Sequence, residues 1–317
     1  MQETIITFEQ VKKSYNVYGK RLIPRKKTAL HGISFHAYRN EIYGFLGPNG
    51  AGKTTTIKIL VMLIPFDAGT VVVDGSRLPK RSVLHKIGFL PELPYFYPYL
   101  RLEEVLRFYG RLYNMSDKRL NRRMRDLVER VGLADALQVQ LKYFSKGMLQ
   151  RAGMAQALLH EPDILILDEP LSGLDPIGRR QMRDIILEQK AKGKTIFFSS
   201  HILQDVEMIC DRIAILNQGR VIAQGYANAL MAPPADMLEI HLRGLRADQV
   251  ERVNNSGYGT VTFQDQQGNM VFRSNKGMSL EALMARVFAD LSEKITSIQR
   301  PKPSLEDLFM RVLQEQE

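Results

Sequence analysis

Short apolar runs bounded by polar turns occupy most of the chain up to Leu90 and return after His160. Runs of this kind between turn-forming residues are typical of buried β-strands. The pattern predicts strands at Ile5–Gln10, Ala29–His36, Ile42–Leu46, Val71–Val73, Ile87–Leu90, Ile164–Leu167, Thr195–Ser199 and Ile213–Leu216. The polar, basic stretch between the first two strands is predicted to be a loop.

From Leu102 to His160 the apolar positions recur at helical spacing instead. One helical face is formed by Leu102, Val105, Leu106 and Tyr109, and another by Met124, Leu127, Val128 and Val131. Such spacing is typical of amphipathic helices that cover a core. We therefore predict the α/β fold class, with a helical subdomain inserted into a sheet domain at about residues 93–160.

A second, smaller domain is predicted after the segment Ala232-Pro233-Pro234-Ala235, which gives domains at 1–231 and 235–317. Its predicted elements are a strand Met237–Arg243, a helix Ala247–Val253, hairpin strands Thr260–Gln264 and Asn269–Arg273, a helix Leu280–Leu291, a strand Ile295–Ile298, and a helix from Leu305 that Ser304 and Asp307 would cap. The order β-α-β-β-α-β is typical of a ferredoxin-like domain. We expect an accessory or regulatory role for it.

The composition limits the cellular locations that are possible for the protein, but it does not identify its binding partners. The longest apolar run, Ile59–Phe66, is too short to span a membrane, and the first residues carry no signal-peptide pattern, so we expect a cytosolic protein. The single cysteine excludes a disulfide within the chain. The net charge of +10 would favour binding to nucleic acid or to an anionic membrane surface, or it could serve only solubility. The charge alone does not distinguish these three interpretations.

The segment Gly47–Thr54 fits the phosphate-loop pattern G-x-x-x-x-G-K-[ST]. It follows the predicted strand Ile42–Leu46 and precedes a predicted helix, Thr54–Leu63, which is the context that the motif requires. Its glycines let backbone N–H groups point at a phosphate. Lys53 would reach the β- and γ-phosphates of a nucleotide, and Thr54 would ligate Mg²⁺. A Gly-rich turn that matches by accident is the alternative.

Polar side chains end two of the apolar strands downstream. Asp168 and Glu169 follow Ile164–Leu167, and His201 follows the strand that starts at Thr195. An aspartate there can hold Mg²⁺ through water, and the adjacent glutamate can align and deprotonate an attacking water. His201 could donate a hydrogen bond to a γ-phosphate. Taken alone, each motif also fits a strand that ends in a polar loop.

With these motifs in order, the chain resembles the ATP-binding subunit of an ABC transporter over about Thr4–Leu230. The family's order of motifs is matched by Gly47–Thr54, by Glu92 at the glutamine-loop position, by Phe144–Met148 at the signature, by Leu165–Glu169 at Walker B, by Ser172–Asp175 at the D-loop and by His201 at the switch. The resemblance implies an ATPase that uses ATP and Mg²⁺.

The resemblance also assigns site residues. Catalytic roles fall to Glu169 and His201. Metal contacts fall to Thr54, Asp168 and Glu92. The nucleotide contacts are Tyr15, Gly47, Pro48, Asn49, Gly50, Ala51, Gly52, Lys53, Thr54, Thr55, Ser145 and Gly147. Tyr15 corresponds to the aromatic that stacks on adenine, with Tyr18 as a competing candidate.

Two departures from the family pattern concern the glutamine loop and the signature. Glu92 replaces the usual glutamine, and a carboxylate can coordinate Mg²⁺ but cannot donate a hydrogen bond. Lys146 and Met148 replace the first glycine and the glutamine of the signature, whereas Ser145 and Gly147 are kept.

Further implications of the resemblance concern partners. Two such subunits, alike or different, would meet head to tail, with each ATP between Lys53 of one and Ser145–Gly147 of the other. The chain would power separate transmembrane permease subunits from the inner face of the membrane, and its variant motifs are similar to those of the exporter branch. The alternatives are a soluble ABC ATPase that acts on nucleic acid or ribosomes and a regulatory module without turnover. No second cassette or long coiled-coil insertion is present, so we expect no nucleic-acid partner.

The segment Leu93–Leu100 is rich in aromatic residues and has two prolines. Two interpretations remain open for it. The aromatic side chains pack the helical insertion onto the sheet, or they line a groove that receives the permease.

Overall fold

The computed structural model describes residues 3–18, 24–232, 237–275, 277–289, 291–300, 304–306 and 308–309. These fall into two compact units. The first holds the described residues up to Ala227 together with Phe309, and the second holds those from Asn228 to Leu308. The division lies a few residues before the predicted boundary, most of which is outside the described residues. The domain bounds given above stay a prediction.

The strands are β1 (Thr4–Tyr18), β2 (Pro24–Tyr38), β3 (Ile42–Leu46), β4 (Ala68–Val73), β5 (Ser76–Arg77), β6 (Ile87–Leu90), β7 (Ile164–Asp168), β8 (Thr195–Ser200), β9 (Arg212–Asn217), β10 (Arg220–Tyr226), β11 (Glu239–Leu242), β12 (Gly259–Gln264), β13 (Met270–Ser274) and β14 (Ile295–Gln299). The α-helices are α1 (Lys53–Leu60), α2 (Leu102–Leu112), α3 (Asp117–Arg130), α4 (Lys146–Leu158), α5 (Pro176–Ala191), α6 (Leu203–Ile209), α7 (Ala227–Met231), α8 (Ala247–Asn254) and α9 (Leu280–Arg286). Short 3₁₀ helices lie at Arg81–Lys86, Ala134–Ala136, Leu141–Tyr143 and Ser292–Lys294.

A six-stranded sheet in the order β10-β9-β3-β8-β7-β6 forms the centre of the first unit. All its neighbouring pairs are parallel except β9 with β10, which form an antiparallel hairpin. Every residue of β3, β7 and β8 is buried, which explains the continuous apolar runs Ile42–Leu46, Ile164–Leu167 and Ile196–Phe198 within them. Because the strands are parallel, their carboxyl ends meet at one edge of the sheet, where open α/β sheets bind ligands.

The second sheet, β2-β1-β4-β5, is antiparallel and contributes to the same hydrophobic core as the first. Phe35 joins the two, since its ring stacks on Phe8 at 4.6 Å and on Tyr43 at 5.6 Å. Here the predicted loop between the first two strands is wrong. Much of the polar, basic stretch extends the β1–β2 hairpin, with Tyr15 opposite Lys27. The pattern missed these strands because Lys12–Ser14 and Arg25–Thr28 are continuous polar runs, without alternation of apolar and polar residues.

The helical subdomain is confirmed, with α2, α3 and α4 between Leu102 and Leu158. Its predicted inward faces are buried, with Leu106 at 0% exposure and Met124 at 3%, except that Tyr109 is half-buried. No helix among the described residues has the length and apolar character needed to cross a bilayer.

His160 gives the first unit a pH-dependent stability. Its ring stacks on Tyr113 with the centroids 3.7 Å apart, and Nε2 is 3.2 Å from the carbonyl oxygen of Ile87. Burial lowers the pKa of His160 to about 4, helped by the nearby positive charge of Lys194. The folded state therefore holds this imidazole neutral at pH values where the unfolded chain protonates it.

We expect the free energy of unfolding to fall by about 2–3 kcal/mol as the pH drops from about 6.5 to about 4, since only the unfolded state binds the proton in that window. Urea unfolding of wild type and His160→Phe at several pH values isolates this contribution. The variant keeps an aromatic ring for Tyr113 and should lose less stability on acidification. Parallel losses in both proteins would show that other groups cause the effect.

The second unit contains the sheet β12-β13-β11-β14, in which all neighbouring pairs are antiparallel. With α8 and α9 the described order is β-α-β-β-α-β, around a core that includes Phe272 and Phe288. The predicted helix Leu280–Leu291 is too long, because α9 ends at Arg286. The capping prediction at the last helix involves Asp307, which lies outside the described residues. The ferredoxin-like assignment of this unit stays a prediction.

Candidate functional site

The phosphate loop connects β3 to α1, as its motif predicts. The backbone conformation of the loop depends on glycine at two positions, Gly47 and Gly50. A Cβ on Gly47 would lie 2.2 Å from the carbonyl oxygen of Leu216, so no side chain fits there. Gly50 has φ +82°, and a Cβ on it would meet nothing within 4 Å. Gly47 thus allows the loop to pack closely on β9, and at Gly50 the positive φ favours glycine.

Lys53 begins α1 and points back into the loop. Its ammonium group donates a hydrogen bond to the carbonyl oxygen of Gly47 at 2.6 Å and lies 3.4 Å from Oε1 of Glu169. The side chain is 6% exposed. A buried ammonium group with one carboxylate neighbour and a curled loop above it is well placed to bind phosphate oxygens.

Asp168 is the last residue of β7 and Glu169 follows it, and Ser199 on neighbouring β8 contacts both. Its hydroxyl donates to Oδ1 of Asp168 at 2.6 Å and accepts from the backbone N–H of Glu169 at 3.0 Å. Burial raises the pKa of Asp168, and the negative charges of Glu169 and Glu92 act in the same direction. The sequence reasoning gave Ser199 no role, although a polar residue at the end of an adjacent parallel strand was the signal available.

Glu169 has a backbone φ of 49°, the left-handed region that a glutamate rarely adopts. Its Oε2 lies 2.7 Å from Nδ1 of His201, while Oε1 faces Lys53. Unusual dihedrals of this kind concentrate at functional sites, where the surrounding structure holds them. Here the conformation aims one carboxylate at both a histidine and a lysine.

A cavity of roughly 600 Å³ collects most of the predicted residues. It is lined by Tyr15, Lys27, Thr28, Ala29, His31, Pro48, Asn49, Gly50, Gly52, Lys53, Thr54, Thr55, Glu92, Glu169, His201, Gln218 and Gly219. Gly47 and Ala51 of the phosphate loop do not line this cavity, and neither does Asp168. The hydroxyl groups of Tyr15 and Thr55 are 3.4 Å apart. The side chain of the competing Tyr18 lies outside the described part of the chain.

Several wall residues were missed by the sequence reasoning, namely Lys27, Thr28, Ala29, His31, Gln218 and Gly219. They come from β2 and from the turn between β9 and β10. The backbone N–H of His31 donates to the carbonyl oxygen of Gly219 at 2.9 Å, which joins these two segments. No motif marks them, since the pairing of distant segments places them at the cavity.

Ser145 and Gly147 lie elsewhere, in a second cavity of roughly 530 Å³ that includes Lys146 and the D-loop residues Gly173 and Asp175. Ser145 caps α4 by accepting a hydrogen bond from the backbone N–H of Met148 at 3.2 Å. The single chain therefore does not bring these two predicted nucleotide contacts to the phosphate loop.

The donor set at the first cavity fits a nucleotide-bound Mg²⁺. Asp168 and Glu169 are both buried carboxylates, and Glu169 lies 3.4 Å from the buried ammonium group of Lys53. The hydroxyl of Thr54 favours the ionised Asp168 carboxylate and so acts against the rise in its pKa. Among the described residues, no group of three or more His, Cys, Asp or Glu side chains could hold a metal by itself. Mg²⁺ usually takes one or two carboxylates, waters and substrate phosphates.

Comparison with known proteins identifies the class. The ABC transporter family model matches residues 30–172. An uncharacterized ABC transporter ATP-binding protein of Synechocystis is 40% identical over 293 residues, which covers 92% of this chain and 80% of that protein. The Nod factor export ATP-binding protein I of Paraburkholderia xenovorans is 36% identical, with 81% of this chain and 85% of that protein covered.

A further relative is the linearmycin resistance ATP-binding protein of Bacillus subtilis, which is 37% identical over 68% of each chain. Among solved structures, an ATP-binding subunit of an ABC transporter has 33% identity and a TM-score of 0.64, covering 71% of this chain and 91% of that one. The fold and the phosphate-loop cavity define a P-loop nucleotide-binding protein. The chain belongs to the ABC transporter family as an ATP-binding subunit, and it is an ATPase of that family.

Proposed function

We propose that the chain binds ATP with Mg²⁺ in the phosphate-loop cavity and hydrolyses it to drive a separate membrane permease, in the direction of export. The main support for this proposal is that Lys53, Glu169 and His201 line one cavity together with the phosphate loop. A buried lysine beside an oriented carboxylate matches the needs of phosphoryl transfer, which depends on positioning and charge stabilisation.

In this proposal each residue of the site has its own role. Lys53 binds the β- and γ-phosphates, and the loop backbone at Gly47–Gly52 cradles them. Bound Mg²⁺ would neutralise charge on the phosphates, and Thr54, Asp168 and Glu92 supply the oxygen atoms that would hold it.

At the reacting end, Glu169 orients and deprotonates the attacking water. His201 steadies the Glu169 carboxylate and contacts the γ-phosphate. At the other end of the nucleotide, Tyr15 stacks on the base. Thr55, in the first turn of α1, contacts the phosphates.

Dimerisation is supported by the separation of the two cavities. Ser145 and Gly147 lie away from the phosphate loop of their own chain, so a second subunit placed head to tail would present them to the nucleotide. ATP would then stabilise the closed dimer, and hydrolysis would remove that preference. The partner is a second copy or a related ATP-binding subunit.

A docking surface for the permease is supported by the exposed aromatic residues after Glu92. Tyr95 is 82% exposed and Tyr97 is 71% exposed, which weighs against the core interpretation of these two side chains. Phe96, which is half-buried, and Tyr95 line a groove of roughly 300 Å³ next to the sheet. The export direction is supported by relatives named for Nod factor export and linearmycin resistance. The subunit would then work at the cytoplasmic face of the membrane.

Tyr95→Ser with Tyr97→Ser should leave the melting temperature nearly unchanged, since exposed substitutions usually shift stability by less than about 0.5 kcal/mol. Aromatic residues commonly anchor interfaces, so retention of polytopic membrane proteins on purification from detergent-solubilised membranes should fall. Tyr143→Ser, at an exposed tyrosine outside this segment, is the matched control. A large drop in melting temperature would favour packing, and unchanged retention would contradict docking.

The same purification distinguishes the proposed transporter subunit from the alternative, a soluble ATPase that acts on nucleic acid or ribosomes. Co-purification of a polytopic protein supports the transporter, whereas co-purification of ribosomes or RNA would support the soluble ATPase that acts on nucleic acid. We propose in addition that the residues after the boundary near 231–235 form an accessory, ferredoxin-like domain, in line with the four antiparallel strands of the second unit.

A further inference from the structure

The extended β1–β2 hairpin contributes residues to the wall of the cavity that the phosphate loop also lines. Tyr15 on β1 is directly opposite Lys27 on β2. Directly opposed residues of an antiparallel pair project from the same face of the sheet. Both residues line the cavity, as this pairing requires.

The neighbouring lysine provides a contrast. Successive side chains of a strand point to opposite faces. Lys26 is paired with Asn16 and is exposed, but it does not line the cavity. Two adjacent lysines on one strand thus differ in whether their charge faces the nucleotide site.

The charge of Lys27 is not neutralised by any side chain among the described residues. It forms no ion pair with any residue that the structure describes, and it is exposed toward the cavity. The ammonium of Lys53, by contrast, already has the Glu169 carboxylate 3.4 Å away. An uncompensated cation on the wall of a cavity raises the local concentration of an anionic ligand and favours its binding.

We propose that Lys27 is a further nucleotide-binding residue, whose ammonium group pairs with the negatively charged phosphate chain of ATP held between the hairpin and the phosphate loop. The inference rests on the proposed ATP site. The basic part of β2 would then contribute directly to the affinity for ATP. Tyr15 and Lys27 then act as one cross-strand pair, with the ring on the base and the ammonium on the phosphates.

The test is equilibrium binding of adenylyl imidodiphosphate, a non-hydrolysable ATP analogue, with Mg²⁺ at low salt. Lys27→Met keeps the apolar stem and removes the charge, so it should weaken binding about 3–10-fold, as for a partly exposed charge-assisted contact. Lys27→Arg should bind like wild type, and Lys26→Met should change little. The loss in Lys27→Met should shrink at high salt because exposed charges are screened.

Wild-type affinity in Lys27→Met would overturn the assignment. An equal loss in Lys26→Met would also overturn it, because it would show that the overall positive charge of the hairpin attracts the nucleotide without a specific contact from Lys27. A loss in Lys27→Met that does not depend on salt would indicate packing rather than charge, which also overturns it. If wild type itself does not bind the analogue, the proposed function fails. If wild type binds and Lys53→Ala does not, while the Lys27 variants bind normally, only the present inference fails.

Discussion

Glu169→Gln should bind ATP but hydrolyse it about 10²–10⁴-fold more slowly, the usual contribution of a general base. The amide has the shape of the carboxylate but cannot take a proton from the attacking water. Removing the negative charge 3.4 Å from Lys53 leaves that ammonium group less neutralised, so affinity for the anionic nucleotide should be kept or increased. Single-turnover phosphate release and nucleotide binding measure the two effects separately.

The same variant should accumulate as an ATP-bound dimer, because binding continues while the step that releases the dimer is blocked. Size-exclusion chromatography with and without ATP detects it. Glu161→Gln, at a surface glutamate that pairs with Arg119, is the control and should hydrolyse ATP normally. Near-normal turnover in Glu169→Gln would remove Glu169 from the water-activating role.

The parts of the site that sequence reasoning anticipated are those in which one short segment carries the chemistry. The strand–loop–helix at Gly47–Thr54 is such a segment, because glycine spacing, the lysine and the flanking elements are all local. Strand β6 has the bounds predicted for it, Ile87–Leu90, since it is a buried run with clear ends. Local patterns suffice where a local segment forms the structure.

The features of the site that could not be predicted from the sequence depend on pairing between segments that are distant along the chain. Ser199 becomes a partner of Asp168 only because β8 is parallel to β7 at matching positions. Lys27 reaches the cavity only because β2 extends along β1, and solvent-exposed polar strands carry no alternation that reveals them. The helix α1 ends at Leu60, earlier than predicted, and Met62 just beyond it has a φ of 56° that continues no helix.

Lys53→Ala should lose most nucleotide affinity. Hydrogen bonds to charged groups contribute about 1.5–3 kcal/mol each, which corresponds to a loss of about 10–150-fold for a single contact. The change also leaves the buried Glu169 carboxylate without its ammonium neighbour, so a negative charge would face the incoming phosphates. Thermal shift with increasing ATP gives the readout, because a ligand that binds the folded state raises its stability. Lys58→Ala, on the exposed side of the same helix, is the control.

The two largest effects are coupled, and their combination tests the geometry more sharply than either alone. In the Glu169→Gln background the unpaired carboxylate is gone, so Lys53→Ala should cost less nucleotide affinity than it does in wild type. Contacting residues in one ionic network typically show interaction energies of about 0.5–3 kcal/mol. Hydrolysis should stay low in the double variant, since both the phosphate-binding charge and the base are missing. Strict additivity of the two affinity changes would contradict a direct interaction between Lys53 and Glu169, while equal affinity of Lys53→Ala and wild type would contradict the phosphate-binding role itself.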